Sequence, residues 1–274
     1  MTAPRATVRL LRHQMRQGLM PGLLVSAAAF GFQVLVARLF VALGSGGEAH
    51  LLGRQIPAAL RQFLGVDRLP LHTLSGFLSV AWQHPFLLAA LLAVPIALTS
   101  ALLAGEVERR TMSLILTRRV GRVTLVLCAA VATAVWCGVA AGAGAIGSLT
   151  GAQLMGLSAQ VKPAALLAIA INLYMLMLAV GGMGLLFSAA SSERTDAVGW
   201  TVTLTLLMYV AHFAAQVWPA AEPWGEVSLF HYYTPSQYFL GTQDPAHNLT
   251  VLAVSALVTT AFAAAVCRLR DFHV

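Results

Sequence analysis

The chain has 274 residues, 58% of them hydrophobic and only 10% charged, and its mean hydropathy is +0.78. Soluble domains carry about a quarter charged residues, and no single core could hide this much apolar surface, so a water-soluble domain is excluded. The net charge of +7 and a pI near 10.0 do not indicate nucleic acid, because the basic residues fall in short blocks between apolar runs, where membrane topology places them.

In chain order, Arg5, Arg9, Arg12 and Arg16 recur at helical spacing and share one face, with Val8, Leu11, Met15 and Leu19 broadly opposite. Two readings stay open here: an amphipathic helix resting on the inner membrane surface, or a basic block that only sets orientation. About 20 apolar residues cross a hydrocarbon layer about 30 Å thick. Six stretches qualify, roughly Met20 to Leu43, Phe77 to Ala104, Val123 to Ile146, Ala164 to Phe187, Ala197 to Trp218, and Leu249 to Cys267. The first has no small-residue cleavage site and is read as an uncleaved span. The second holds Pro85 and Pro95, which predict a kink or an interfacial outer part.

With the N-terminus in the cytoplasm, twelve arginines fall in inner segments, whereas the outer ones hold Arg54, Arg61, Arg68 and Lys162, and Arg38 can snorkel. Both termini are then inside. Trp82, Trp218, Trp224 and FHYYTPSQYF (Phe230 to Phe239) gather on the outer side. The segment 219–248 before the sixth span reads either as an interfacial aromatic belt or as a re-entrant helical hairpin.

Several chemistries lack their residues. No Asp, Glu or Lys lies mid-span, which disfavours ion-coupled transport. His212, deep in the fifth stretch, reads first as a hydrogen-bonded packing residue. The chain has no HExxH motif and no nucleophile–base pattern, so it is not expected to be an enzyme. Cys128, Cys137 and Cys267 lie inside apolar runs without CxxC spacing, and neither a metal nor a disulfide is expected. GVAAGAGAIG (Gly138 to Gly147), with Gly181, Gly182 and Gly184, predicts close helix packing, within one subunit more readily than in a dimer face. Asn172, Tyr174, Met175 and Met177 fit either a path or ordinary packing.

The segment GEVERRTMSLILTRRVGR (Gly105 to Arg122) concentrates charge between two apolar stretches. It is too short for a domain. Val107, Leu114 and Ile115 can share a helix face while Glu106 reaches Arg109 or Arg110. Apolar side chains beside matched charges suit a protein partner as well as they suit a membrane-lying loop.

This segment resembles the cytoplasmic coupling element of type-2 ABC transporter permeases, whose pattern runs glutamate, ERGT, a Leu-rich turn and Pro-x-x-Arg. Glu106, Glu108, Arg109, Thr111, the Leu114–Leu116 run and Arg122 match. Arg110 replaces the usual Gly, Ser113 a frequent Glu, and Arg119 a frequent Pro. The N-terminal helix resembles that family's interfacial connecting helix. SLFHYYTPSQYFLGTQDP (Ser228 to Pro245) resembles its outer segment, and CRLRDF (Cys267 to Phe272) its charged tail.

The resemblance implies an all-α membrane protein of one permease domain, 1–274, with a surface helix at 1–19, a coupling element at 105–122 and an extracytoplasmic segment at 219–248. It implies an exporter working by alternating access. Two such subunits, identical or related, would pair with two cytoplasmic ATPase subunits that hold ATP and Mg. Since GxxxxGK[ST] is missing from the sequence, ATP is not expected on this chain. Glu106, Glu108, Arg109, Arg110 and Leu114 are the implied docking residues, with Arg118, Arg119 and Arg122 at the membrane surface. Arg5, Arg9, Arg12 and Arg16 face membrane lipid. The implied location is a bacterial plasma membrane. The alternatives are an ATP-independent channel or carrier, or a membrane scaffold.

Overall fold

Long uncharged apolar runs can satisfy their backbones in hydrocarbon by forming α-helices. The computed structural model describes residues 3–43, 73–110, 121–240 and 245–270, and it is built from helices with no strand among the described residues. The elements are α1 (Ala3–Gln17), α2 (Leu19–Ala42), α3 (Leu74–Trp82), α4 (Pro85–Leu102), α5 (Ala104–Glu108), α6 (Arg122–Leu154), α7 (Pro163–Ala190), α8 (Arg194–Val217), α9 (Glu222–Val227), α10 (Pro235–Leu240) and α11 (Pro245–Leu269). Six stretches are long and apolar enough to cross a membrane: α2, α4 with α5, α6, α7, α8 and α11. The chain is an all-α, multi-pass membrane protein.

The expected second span is not one helix. It breaks at His84, and Pro85 takes the first position of α4, where a missing N–H costs nothing. Before the break, α3 starts at the Thr73 hydroxyl, which accepts from the Gly76 N–H at 3.2 Å. Pro95 lies inside α4.

The third span overruns its expected end. Gly147-Ser-Leu-Thr-Gly151 looks like a helix breaker, yet α6 runs on to Leu154, because those glycines are where α2 comes closest. A Cβ on Gly147 would sit 2.5 Å from the Phe30 carbonyl oxygen, and one on Gly151 would sit 2.7 Å from the Ala37 Cβ. Helix α2 therefore runs beside α6 at near-backbone distance. Beyond Leu154 the helix ends in a Schellman turn, with Gly156 at φ +69° and the Leu157 N–H donating to the Ala152 carbonyl at 2.8 Å.

Other glycines serve the same end within the subunit. A Cβ on Gly182 of α7 would come within 2.9 Å of the Ala256 carbonyl of α11, and Gly184 of α7 faces Thr99 of α4. The core thus centres on α4, α6 and α7, and α8 is the least enclosed, together with α11: two thirds of the α4–α5 stretch is buried against a sixth of α8.

Between α8 and α11 the chain folds into short helical pieces packed over one end of the bundle. Asn172 of α7 holds them: its amide donates to the Tyr232 carbonyl at 2.9 Å, and its oxygen accepts from the Thr234 N–H at 3.3 Å. The Tyr233 hydroxyl donates to the Trp82 carbonyl at 2.9 Å, and burial holds this phenol well above its ordinary pKa, so it stays a neutral donor. Asn172 is therefore a packing residue. Trp218 and Trp224 are exposed, as an aromatic belt requires, whereas Trp82, Phe230, Tyr233 and Tyr238, expected in the same belt, are buried in the packing of this end.

Substituting Gly147 by Leu is expected to destabilise the protein by about 1–3 kcal/mol through overpacking against backbone. Gly142, with nothing within 4 Å of its Cβ position, should accept Ala with a small gain in stability. Thermal unfolding in detergent compares the two.

Candidate functional site

The opposite end of the bundle gathers the polar side chains that the sequence singles out. Helix α4 breaks at Leu103 (φ −119°, ψ −74°), which would strand a backbone donor and a backbone acceptor in apolar surroundings. Ser188 of α7 answers both. Its hydroxyl accepts from the Ala104 N–H at 2.8 Å and donates to the Thr99 carbonyl at 2.9 Å. The chain can then turn and start α5 without an unpaired group.

On α5, Glu106 points inward and is 7% exposed. Its Oε1 accepts from Arg109 Nη2 at 2.7 Å and from Gln17 Nε2 at 3.2 Å. Gln17 also lies 3.0 Å from the His13 ring nitrogen. A buried carboxylate needs such partners, so α5 and the end of α1 are tied together. Glu108 points the other way: its Oε2 accepts from the Arg194 N–H at 2.9 Å. It thus caps the start of α8, where the helix dipole favours a negative charge, and Asp196 adds a second carboxylate in that first turn.

Arg109 is half exposed beside Glu106. Arg110 follows at φ +56°, directly after the C-cap of α5, a place that favours glycine. A glycine would take up this backbone without steric cost.

Two further arginines close helix ends. Arg122 Nη1 donates to the Arg268 and Arg270 carbonyls at 3.2 and 2.7 Å. Arg270 Nη1 donates to the Ala189 and Ser191 carbonyls at 2.8 and 2.7 Å. A guanidinium at a helix C-terminus satisfies stranded carbonyls and opposes the dipole. These two residues bring the ends of α7 and α11 and the start of α6 to one level.

Of the expected site residues, the structure brings together Glu106 and Arg109, while Glu108 turns away to the Arg194 amide. Arg122 lies at the same end but serves α11. Leu114, Arg118 and Arg119 lie outside the described residues. Arg5, Arg9, Arg12 and Arg16 are exposed on α1. The other face of α1 differs from the expected one. Ala6, Leu10 and Gln14 are buried and α1 packs on α6, whereas Val8 is 66% exposed. Gln17, Ser188 and Arg270 were not singled out from sequence.

Between α4 and α8 runs a cleft of about 520 Å³, walled by Leu92, Ile96, Val198 and Val202, with Arg194 at one end and Tyr209 and Phe230 at the other. His212 borders a smaller recess nearby and lies 2.8 Å from Gln216, edge-on to His231, which suits a hydrogen-bonded packing role. No group of three or more His, Cys, Asp or Glu side chains able to hold a metal occurs among the described residues. No protein-family model matches the chain, and a search of curated proteins returns no match.

Two substitutions probe the break and the turn. Ser188→Ala leaves the Ala104 N–H and Thr99 carbonyl unpaired and should cost about 1–3 kcal/mol. Arg110→Gly should stabilise by about 1–2 kcal/mol by relieving the left-handed backbone, and Arg110→Ala should not. Melting temperatures of the purified variants decide both.

Proposed function

We propose that this chain is the membrane-spanning permease subunit of an ATP-driven exporter, with its energy supplied by separate cytoplasmic ATPase subunits. The observation that carries the reading is the way Glu106 and Glu108 anchor the short segment after α4 to two other elements. A loop that only had to turn the chain would need neither carboxylate. One that receives force from a partner needs a stiff base, and Glu106 on Gln17 with Glu108 on the Arg194 amide supplies it. In this reading the two glutamates are positioning residues. Arg109, Arg110 and Leu114 are the residues offered to the ATPase, with Arg118 and Arg119 beside the membrane surface.

The resemblance of Gly105 to Arg122 to permease coupling elements supports the same reading. So does the clustering of arginines at this end, which makes it the cytoplasmic one by the positive-inside rule. The cleft between α4 and α8 is open enough to accept a substrate, and its apolar walls favour an amphipathic one. A second permease subunit, identical or related, completes the path, and the complex works in a bacterial plasma membrane.

Gentle detergent purification from the native host, with mass spectrometry of what accompanies the chain, tests the class. A stoichiometric P-loop ATPase is expected. Its absence from a preparation that preserves other membrane complexes would leave an autonomous channel, carrier or scaffold. Within the complex, Leu114→Asp should lower ATPase recovery at least fivefold with the chain's membrane level unchanged. Equal recovery would remove Leu114 from the docking surface.

A further inference from the structure

Helix α1 runs on into α2 through Gly18, whose backbone stays helical at φ −79° and ψ −10°, although Pro21 removes one donor from the ladder. The Gly18 N–H donates to the Gln14 carbonyl at 3.2 Å, and the Gly22 N–H donates to the Gly18 carbonyl at 2.8 Å. The exposed residues of the two helices accordingly fall on one stripe with helical period. On α1 that stripe is Arg5, Val8, Arg9, Arg12, His13 and Arg16. On α2 it continues through Leu19, Met20, Leu23, Leu24 and Leu35. One face therefore changes from guanidinium to hydrocarbon within a single turn, between Arg16 and Leu19.

The far end of the stripe is marked too, by Arg38, which is again exposed. Along a helix rising 1.5 Å per residue, Arg16 and Arg38 stand about 33 Å apart. The hydrocarbon layer is about 30 Å thick. The apolar part of the stripe is as long as the acyl layer it would face, and the arginines begin where headgroups begin.

We infer that the Arg5–Arg9–Arg12–Arg16 face of α1 binds the headgroups of anionic phospholipids that border the first span. The mode differs from that of a helix that dips into the bilayer. Ala6, Leu10 and Gln14, the side that would insert, are buried in the protein where α1 packs on α6, so charge alone holds the lipid. The complementarity is one-sided: α1 carries no acidic residue, and Glu106 is turned to Gln17 and Arg109. A second copy of the chain would bring like charges together on this face. An acidic protein surface could pair with the arginines, but it would not explain why their stripe runs on into the lipid-length apolar face. The inference stands whether or not an ATPase docks on α5.

The test uses the full-length protein in neutral detergent, with bound lipid counted by native mass spectrometry during titration with phosphatidylglycerol and, separately, phosphatidylcholine. The wild type should prefer phosphatidylglycerol at least tenfold and lose the preference as salt rises. Each basic residue near an anionic surface strengthens attraction about fivefold. The R5Q/R9Q/R12Q/R16Q variant should therefore lose at least tenfold in affinity, and the four-lysine variant should keep it, because charge and not guanidinium geometry is used. An R5Q/R12Q/R16Q variant, which keeps Arg9, gives the same reading should the fourfold change unfold the protein, as judged by melting temperature. Equal binding of the two lipids by the wild type would overturn the inference. So would unchanged phosphatidylglycerol binding in the three-site variant, including the case where that variant loses a protein partner instead. Release of the lipid by inorganic phosphate at equal concentration would also overturn it, since the site would then be one for free phosphate.

Discussion

A backbone interrupted inside a membrane protein exposes N–H and C=O groups that no water is there to satisfy, and much of this structure follows from how those groups are met. At the Leu103 break, one serine hydroxyl from α7 takes the donor and supplies the acceptor's proton. Where α7 and α11 end, arginine side chains reach the last carbonyls. At the start of α8 a carboxylate from α5 meets the free amide. At the other end, the Asn172 amide holds the non-helical turn at Tyr232–Thr234. Each repair comes from an element other than the one it mends, so the places where helices stop are also the places where helices are joined.

This explains why so few polar groups organise so large an apolar molecule. A side chain that bridges two elements fixes their relative height, while apolar packing between them is tolerant of sliding. Glu106 and Glu108 show it most plainly. They are two residues apart on a helix of one and a half turns, and they point to different neighbours, one to α1 and the other to α8. The segment they share is held from both sides.

The helical class and the approximate positions of all six spans were legible in the sequence, because hydropathy reports length and charge exclusion directly. What escaped was set by contact at a distance. The overrun of α6 through Gly147 and Gly151 depends on α2 lying against it, which local composition cannot reveal. The kink expected from Pro85 appeared as a full break at His84, since proline starts a helix better than it continues one. The amphipathic pattern of α1 was visible, but its most buried residues proved to be Ala6, Leu10 and Gln14, with Leu11 and Met15 of the expected face only partly buried against the core. At the candidate site the charged residues stood out for their rarity. Their directions did not, since a glutamate that caps a remote helix is written the same way as one that faces solvent. Ser188 left no trace at all among its small neighbours.

Helix α8 brings these threads to one consequence. It is fastened at its foot by Glu108 and just past its midpoint by the Ser228 hydroxyl, which donates to the Met208 carbonyl at 2.7 Å. Along its length it is mostly uncovered, with the cleft on one side. Between those points only Ala197, Thr201 and Thr205 are buried. Little packing has to be undone to tilt α8, whereas α2 could not move without carrying α6 along, glycine against backbone.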